Sequence, residues 1–292
     1  MTPYPKDTRP PAAKPPMSGC KIAAIVAAVV SLMLMCFGGV IAVGLLLVAI
    51  PKAREAANRA NCQSNLRQIG IAVHQFNMNL GYMPSALNYP DGKIRDASGA
   101  MVTPSVFWLL LPNLELDAMY NGGMASQTRI PVKYFICPSD PSNPSTSGLA
   151  SSCYVLSQPI FSRPTASLLV AMADGTSQTV MGSERLQTCG VIVTRWGDPV
   201  SSLFAVPGLT APEYQNTSTG TSPALSVQTG ANQASCVPGN VFQSAHPNGV
   251  QVLMGDGRVT ILPTGYAPTN LGYFCTPCKR SLYSNAPVAL DF

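Results

Sequence analysis

The sequence predicts an α+β fold in which one long N-terminal helix packs its second half on an antiparallel β-sheet. Residues 22–50 form an uninterrupted apolar run without a charged side chain. Directly after this run, apolar residues recur at alternating intervals of four and three residues, the spacing of one helix face. From residue 85 onward, short apolar runs alternate with clusters of Gly, Pro, Asn, Asp and Ser, which is typical of strands joined by turns.

The apolar run 22–50 is long enough to cross a lipid bilayer. A transmembrane helix needs about 20 apolar residues, whereas the apolar core of a signal peptide has only about 7–15. We therefore predict a transmembrane helix over 22–50, preceded by a solvated, Pro-rich tail over 1–21.

Charge does not orient this helix, because each flank carries four Lys or Arg residues. Seven of the nine cysteines follow the apolar run, and disulfides persist in oxidising compartments. We therefore expect a cytoplasmic tail and an extracytoplasmic domain over 51–292. Since seven is odd, one thiol stays free or pairs with another chain.

The helix is expected to continue past the membrane as an amphipathic segment over 51–81. Its sequence favours a helix on both sides of Pro51, and Gly81 is a suitable terminator, with Pro84 preventing a restart. One apolar stripe needs a partner, for which a sheet is the natural candidate. The stripe consists of Cys62, Leu66, Ile69, Val73, Phe76 and Leu80.

The remainder, 85–292, is predicted to be a β-rich region with a loop-rich insertion at about 198–240. Asp256-Gly257 suits the tight turn of a hairpin between the last two predicted strands. The predicted strands cover 106–111, 132–136, 167–171, 190–194, 250–254 and 258–262.

Composition excludes several classes of protein. Charged residues are 11% and apolar residues 46%, so the chain is not disordered throughout. Four Lys/Arg and one Asp precede residue 22, which leaves 18 − 4 = 14 positive and 13 − 1 = 12 negative side chains after it. A net charge of +2 over this length is no footprint for nucleic acid.

Candidate chemistry is sparse. The chain has two histidines, His74 and His246, which excludes an imidazole-rich metal site. His246 can be imagined with Asp256 and Asp174 as part of a catalytic site, but no Gly-x-Ser-x-Gly element accompanies them. We interpret His246 as a structural residue at the entrance to the hairpin and His74 as an interface residue, and we expect no enzyme.

Cys275-Thr-Pro-Cys278 matches the C-x-x-C pattern of redox and zinc sites. No second pair follows at zinc-ribbon spacing, and no βαβ pattern surrounds it. A structural disulfide, local or to a distant cysteine, is the favoured interpretation.

A long apolar helix that runs through Pro51 into a basic amphipathic stretch, followed by a sheet, resembles type IV pilins and type II secretion pseudopilins. The motifs more closely resemble one bacterial pilin-like group, catalogued as domain of unknown function 1559, whose members carry a prepilin-type H-X9-DG signature. The ordered matches lie at 52–70, 109–115, 134–140, 174–184 and 246–257. The matching signature residues are Cys137, Pro138, Asp174, Gly175, Glu184, His246, Asp256 and Gly257.

This resemblance implies a structural or interaction protein of the bacterial cell envelope, with like subunits or other pilin-like proteins as partners. One departure is clear: Gly19 is followed by Cys20 instead of Phe or Met, and Ala24 stands where prepilins carry Glu. We therefore expect an anchor that is not processed as a prepilin.

Some pseudopilins bind calcium, so we also weighed a calcium site. The acids here are scattered and are better interpreted as turn residues. They are Asp140, Asp174, Glu184, Asp198 and Asp256.

Two functions remain open. The first is a non-enzymatic, membrane-anchored, pilin-like structural or interaction protein. The second is a membrane-tethered binding module or hydrolase that acts on extracellular polymers through the 198–240 loop.

Overall fold

A computed structural model describes residues 19–85, 94–96, 99–142, 150–162, 166–172, 175–204, 227–237 and 242–264. The chain divides into two compact units, Met1–Arg54 and Glu55–Phe292. Most of the predicted Pro-rich tail and both cysteines of the C-x-x-C pattern, Cys275 and Cys278, lie outside the described residues.

The helices are short apart from the first. They are α1 Gly19–Leu80, α2 Val106–Leu110, α3 Asp117–Asn121, α4 Met124–Gln127, α5 Gln158–Phe161 and α6 Leu168–Ala171, with 3-10 turns at Leu111–Leu114 and Lys133–Phe135. The strands are β1 Ile94–Arg95, β2 Met101–Val102, β3 Tyr154–Ser157, β4 Val180–Glu184, β5 Thr188–Cys189, β6 Ile192–Val193, β7 Leu203–Phe204, β8 Val227–Gln228, β9 Phe242–Gln243, β10 Val250–Met254 and β11 Val259–Leu262.

The long helix α1 is continuous and passes through Pro51, as predicted. Over 22–50, every side chain whose placement is described is exposed. By length and composition, this helix can cross a membrane, and its position near the N-terminus is also that of a signal sequence. The apolar half is therefore compatible with a membrane anchor.

The second half of α1 buries the predicted stripe. Cys62, Leu66, Ile69 and Val73 are fully buried in the core that they share with strands β3, β4, β10 and β11. Each large apolar side chain buried in this way stabilises the fold by about 1.5–3 kcal/mol. Leu80 is the exception: it is 51% exposed, because the helix ends there and leaves the core.

The helix ends as the sequence predicts. Gly81 has φ +79°, a left-handed conformation that favours glycine, and its N–H donates to the Asn77 carbonyl at 2.8 Å. The chain therefore turns away at this residue instead of adding another helical turn.

The main sheet has five strands in the order β11-β10-β4-β3-β7. Its pairs are antiparallel except that β7 runs parallel to β3, so the sheet is mixed and the prediction of a purely antiparallel sheet is corrected. The β10–β11 hairpin forms with Val250 opposite Leu262, as predicted. With α1 packed on this sheet, the α+β class is confirmed. Strands β7 and β8 lie within the interval 198–240.

Three of the predicted strands were wrong. The run 106–111 is α2 followed by a 3-10 turn, 132–136 contains the 3-10 turn Lys133–Phe135, and 167–171 contains α6. Ser105 explains the first case, because its hydroxyl oxygen accepts the Trp108 N–H at 3.0 Å and caps the helix. The run 106–111 is short, apolar and fully buried, so it has no polar side by which its period can be recognised, and the other two runs span only five residues each.

Gly249 lies where the chain enters β10, with φ +140°. A Cβ added there would stand 2.8 Å from the Leu262 carbonyl oxygen and would press on Ile261. We expect Gly249→Ala to lower the free energy of unfolding by about 1–3 kcal/mol more than Gly81→Ala does, as measured by chemical denaturation. Gly81 is the matched control, since it also has positive φ but a Cβ there would meet only open space. Equal losses of stability in the two variants would show that the close approach of β11 does not require glycine at position 249.

Candidate functional site

Four sequence motifs that are far apart along the chain meet at one buried histidine. His246 lies in the loop before β10 and is fully buried. Around it stand Glu55 of α1, Glu184 at the end of β4, and Cys137, which follows the 3-10 turn Lys133–Phe135. The fold therefore brings the helix motif 52–70 and the motifs 134–140, 174–184 and 246–257 together at this one point.

The two ring nitrogens of His246 have different surroundings. Nδ1 lies 2.5 Å from Oε1 of Glu55. Nε2 lies 3.5 Å from Oε1 of Glu184 and 3.5 Å from the sulfur of Cys137. When Nδ1 carries its proton toward Glu55, Nε2 of a neutral ring presents a lone pair to the carboxylate and the sulfur.

Glu184 is a buried carboxylate with one satisfied and one unsatisfied oxygen. Oε2 accepts hydrogen bonds from the Ser244 hydroxyl at 2.7 Å and from the Gln251 N–H at 2.9 Å. Oε1 accepts none from the described residues, although it is buried. The two bonds to Oε2 fix the carboxylate and direct Oε1 toward His246.

Glu55 connects the helix to two other motifs. While Oε1 contacts His246, Oε2 accepts a hydrogen bond from the Ser139 hydroxyl at 2.7 Å. Directly after Ser139, Asp140 also holds this segment, because its carboxylate oxygens accept the N–H groups of Ser142 and Gln187. Glu55 thus joins α1 to the histidine and to the Cys-Pro-Ser-Asp segment at once.

Disulfides reinforce these connections. Cys62 of α1 is bonded to Cys137, and Cys189 is bonded to Cys236. The first bond adds a covalent link beside the Glu55–His246 contact, so the second half of α1 is attached to the domain both covalently and by charge.

Cys153 is the free, buried thiol beside this bond. Its sulfur accepts the Cys137 N–H at 3.0 Å, and its S–H donates to Asp140 at 3.4 Å. Burial first, and the Asp140 carboxylate second, raise the pKa of Cys153 well above its ordinary 9.0. The thiol therefore stays protonated and is a weak nucleophile.

The contacts between His246 and its neighbouring carboxylates shift the pKa values of His246 and Glu55 in opposite directions. Burial opposes the imidazolium, but the contacts with Glu184 and Glu55 outweigh it and raise the pKa of His246 above 6.5. Burial likewise opposes the charge of Glu55, but the hydrogen bonds from His246 and Ser139, and the nearby charge of Arg59, lower the pKa of Glu55 below 4.5. In the disulfide form, the position of His246 between Glu184 and Glu55 therefore favours the protonated ring.

This arrangement predicts how stability depends on pH. The raised pKa of His246 gives a stabilisation that is complete below pH 6.5 and is lost as pH rises through the folded-state value. The lowered pKa of Glu55 gives a stabilisation that is present above pH 4.5 and is lost as pH falls through its folded-state value.

We therefore expect the melting temperature to fall as the pH is raised from about 6.5 to about 8.5. His246→Gln is the control, because it has no titrating ring and its melting temperature should change less over this interval. A wild-type profile as flat as that of His246→Gln would contradict the charged triad.

The remaining signature residues serve turns. Oδ1 of Asp256 accepts the Arg258 N–H at 2.9 Å, and Gly257 has φ +86° in the hairpin turn. The Gly175 N–H donates to the Met172 carbonyl at 3.0 Å. Pro138 is exposed beside Cys137, and Asp174 lies outside the described residues. Asp198, weighed for calcium, accepts the Val200 N–H at 3.0 Å.

Glu55 is not among the site residues predicted from the sequence, although the sequence carries a signal for it. Glu55 precedes Cys62 by seven residues, which is two helical turns, so it lies on the buried face of α1. An acid that continues an apolar stripe requires a buried partner. Of the two histidines, His74 lies on α1 itself, which leaves His246 as the candidate partner of Glu55.

Taken together, these features define an α+β domain carried on an apolar-to-amphipathic helix and held to it by a disulfide and a carboxylate–histidine contact. The chain belongs to the family described as protein of unknown function (DUF1559), whose model matches residues 51–166 and 157–267. The resemblance drawn from the sequence motifs is thereby confirmed at the level of the family. No curated protein and no solved structure matches the chain.

Proposed function

We propose that the chain is a non-enzymatic, membrane-anchored, pilin-like structural or interaction protein of the bacterial cell envelope. Its tail 1–21 faces the cytoplasm, and its domain 51–292 lies outside. The observation that carries the proposal is the change of character within the single helix α1. The apolar side chains described over 22–50 are exposed, whereas a buried stripe begins at Cys62.

The exposed half supports a bilayer as the partner. Large apolar side chains such as Met35, Leu34 and Leu47 are 79%, 69% and 69% exposed, an arrangement that is unfavourable in water and favourable in lipid. The run is also longer than the apolar core of a signal peptide, and the helix continues into the folded domain. Both features favour a retained anchor.

The cysteines support the outward orientation of the domain. Two disulfides form in the described part of the domain, and such bonds persist in extracytoplasmic compartments. At the other end, Cys20 after Gly19 and Ala24 in place of a Glu support an anchor that keeps its tail.

Packing supports a structural role for the residues that the fold gathers. His246 and Glu184 are buried, and the oxygens of Glu55 are occupied by His246 and Ser139. A hydrolase of extracellular polymers instead needs acids that a substrate can reach, at about 5–10 Å from each other. The known contacts of these acids connect structural elements.

The proposal is tested by expressing the full chain with a C-terminal tag in a bacterial host. We expect it to stay in the membrane pellet after an alkaline carbonate wash, to lose its domain to protease added to spheroplasts, and to keep residues 1–19 by mass. Recovery in the wash would contradict the anchor. A protected domain would contradict the orientation, and an N-terminus at Cys20 would contradict the retained tail.

A matched pair of variants sharpens the test. Leu34→Arg with Leu45→Arg places two charges in the apolar half, each costing about 2.5–3.5 kcal/mol near the centre of a bilayer. We expect this variant to shift from the membrane to the soluble or degraded fraction. Met78→Arg is the control, since Met78 is 81% exposed in the second half of α1 and should leave the distribution unchanged.

A further inference from the structure

The same buried point has the composition of a metal site once its disulfide is opened. Cys62, Cys137, Glu184 and His246 each offer one ligand atom, and these atoms all lie within 4.8 Å of one another. Two thiolates, one imidazole and one carboxylate are ligands that zinc takes in tetrahedral sites. In the disulfide form the two sulfurs are bonded to each other, so this donor set belongs to the reduced chain.

The distances between the ligand atoms suit one tetrahedral ion. With bonds of about 2.0–2.2 Å to nitrogen and oxygen and about 2.3 Å to sulfur, two ligands of one tetrahedral zinc ion lie about 3.3–3.8 Å apart. Nε2 of His246 lies 3.5 Å from Cys137 sulfur and 3.5 Å from Glu184 Oε1. Both separations match two ligand atoms that share a cation, and the nitrogen–oxygen distance is also longer than a good hydrogen bond.

A second observation independently points to a cation. Oε1 of Glu184 is buried and accepts no hydrogen bond from the described residues, and it faces His246 Nε2. With a neutral ring, two acceptor atoms would therefore face each other in the interior, which is unfavourable unless a positive charge lies between them. Either a proton on Nε2 or a metal cation can supply that charge.

The surrounding residues already orient both ligands. Glu55 receives the Nδ1 side of His246, which leaves the Nε2 lone pair directed at the sulfurs, as in carboxylate–histidine–zinc arrangements. Ser244 and Gln251 hold Oε2 of Glu184 and leave Oε1 as a single ligand oxygen. Such outer contacts are what a preorganised metal site requires.

We propose that the reduced chain binds one zinc ion through Cys62, Cys137, Glu184 and His246, and that formation of the Cys62–Cys137 disulfide expels it. This inference does not depend on the membrane placement proposed above. Zinc and the disulfide are alternative ways of joining α1 to the domain at the same point.

Binding of Zn²⁺ releases the two thiol protons. Oxidation then removes two electrons from the two thiolates, forms one S–S bond and frees Zn²⁺. The electrons reduce a small disulfide oxidant, which takes up two protons and leaves as two thiols. A thiol or phosphine reductant drives the reverse step.

The test uses the full chain in detergent, reduced with a phosphine under anaerobic conditions and titrated with Zn²⁺ or Co²⁺. We expect one metal per chain by elemental analysis, and for cobalt the thiolate charge-transfer band together with the intense visible bands of tetrahedral coordination. Oxidised glutathione should release the metal as the disulfide forms, and the untreated disulfide form should bind none. A reduced chain without stoichiometric metal, or with octahedral cobalt spectra, would overturn the proposal.

Variants locate the ligands. Cys62→Ser and Glu184→Gln are each expected to weaken zinc binding by about a hundredfold or more, beyond the usual loss of an outer contact. Cys153→Ser, Cys189→Ser with Cys236→Ser, and Cys275→Ser with Cys278→Ser are controls that remove other sulfurs and should keep one metal per chain. The assigned ligand set is wrong if a control variant loses the bound metal, or if Cys62→Ser and Glu184→Gln bind zinc as tightly as the wild type.

Discussion

Replacing His246 with alanine is expected to lower the free energy of unfolding by about 3–5 kcal/mol. The reason is the position of Glu184, which is 2% exposed and would lose the imidazole ring that faces its Oε1. Glu55, whose side chain is 38% exposed, can recover hydration and contributes less to the loss. Chemical denaturation of the oxidised chain, in detergent at about pH 6, measures the effect.

Two companion variants test this explanation. His74→Ala removes the other histidine and is expected to cost less than about 1 kcal/mol. Combining His246→Ala with Glu184→Gln removes the stranded charge, so the two losses should be less than additive by about 0.5–3 kcal/mol. Strict additivity, or a loss for His246→Ala no larger than that for His74→Ala, would show that the histidine does not neutralise Glu184.

Removing the buried disulfide is the second large effect. The bond between Cys62 and Cys137 closes a loop with a sequence separation of 75. Its loss in Cys62→Ala with Cys137→Ala is expected to cost about 4 kcal/mol through the greater freedom of the unfolded chain. Because Cys62 and Cys137 are 0% and 5% exposed, truncation also leaves a small cavity, which adds to the loss.

The second disulfide provides the control. Cys189→Ala with Cys236→Ala opens a sequence separation of 47, for which the unfolded-state effect is nearly the same, about 4 kcal/mol. Cys236 is less buried than Cys62, so a smaller cavity cost is expected. Denaturation without reductant should therefore rank the Cys62–Cys137 variant as the less stable one. The reverse order would mean that its packing contributes nothing beyond loop closure.

The buried face of α1 and the β10–β11 hairpin could both be predicted from the sequence, each for its own physical reason. The stripe from Cys62 to Phe76 repeats over several helical turns, and a repeated period identifies a buried face without any knowledge of the partner. The β10–β11 hairpin is local, because Asp256-Gly257 lies between its two strands. Both features depend on residues that are close in the sequence.

The segments 106–111, 132–136 and 167–171 could not be assigned in the same way. Each spans only five or six residues, which is too short to distinguish a helical from a strand period. In α2 all five residues are also buried, so no polar side marks a face. The parallel pairing of β7 with β3 could not be predicted either, because it joins residues nearly fifty positions apart and no turn signal between them indicates the pairing.

By itself, the sequence determined the long apolar-to-amphipathic helix, the mixed character of an α+β chain and membership of the DUF1559 family, because these depend on composition, period and ordered motifs. Only the tertiary structure decided that His246 lies between Glu55 and Glu184 beside Cys137, and that Cys62 pairs with Cys137. Contacts between residues separated by some 190 positions are set by how helix and sheet pack against each other, which no local pattern records.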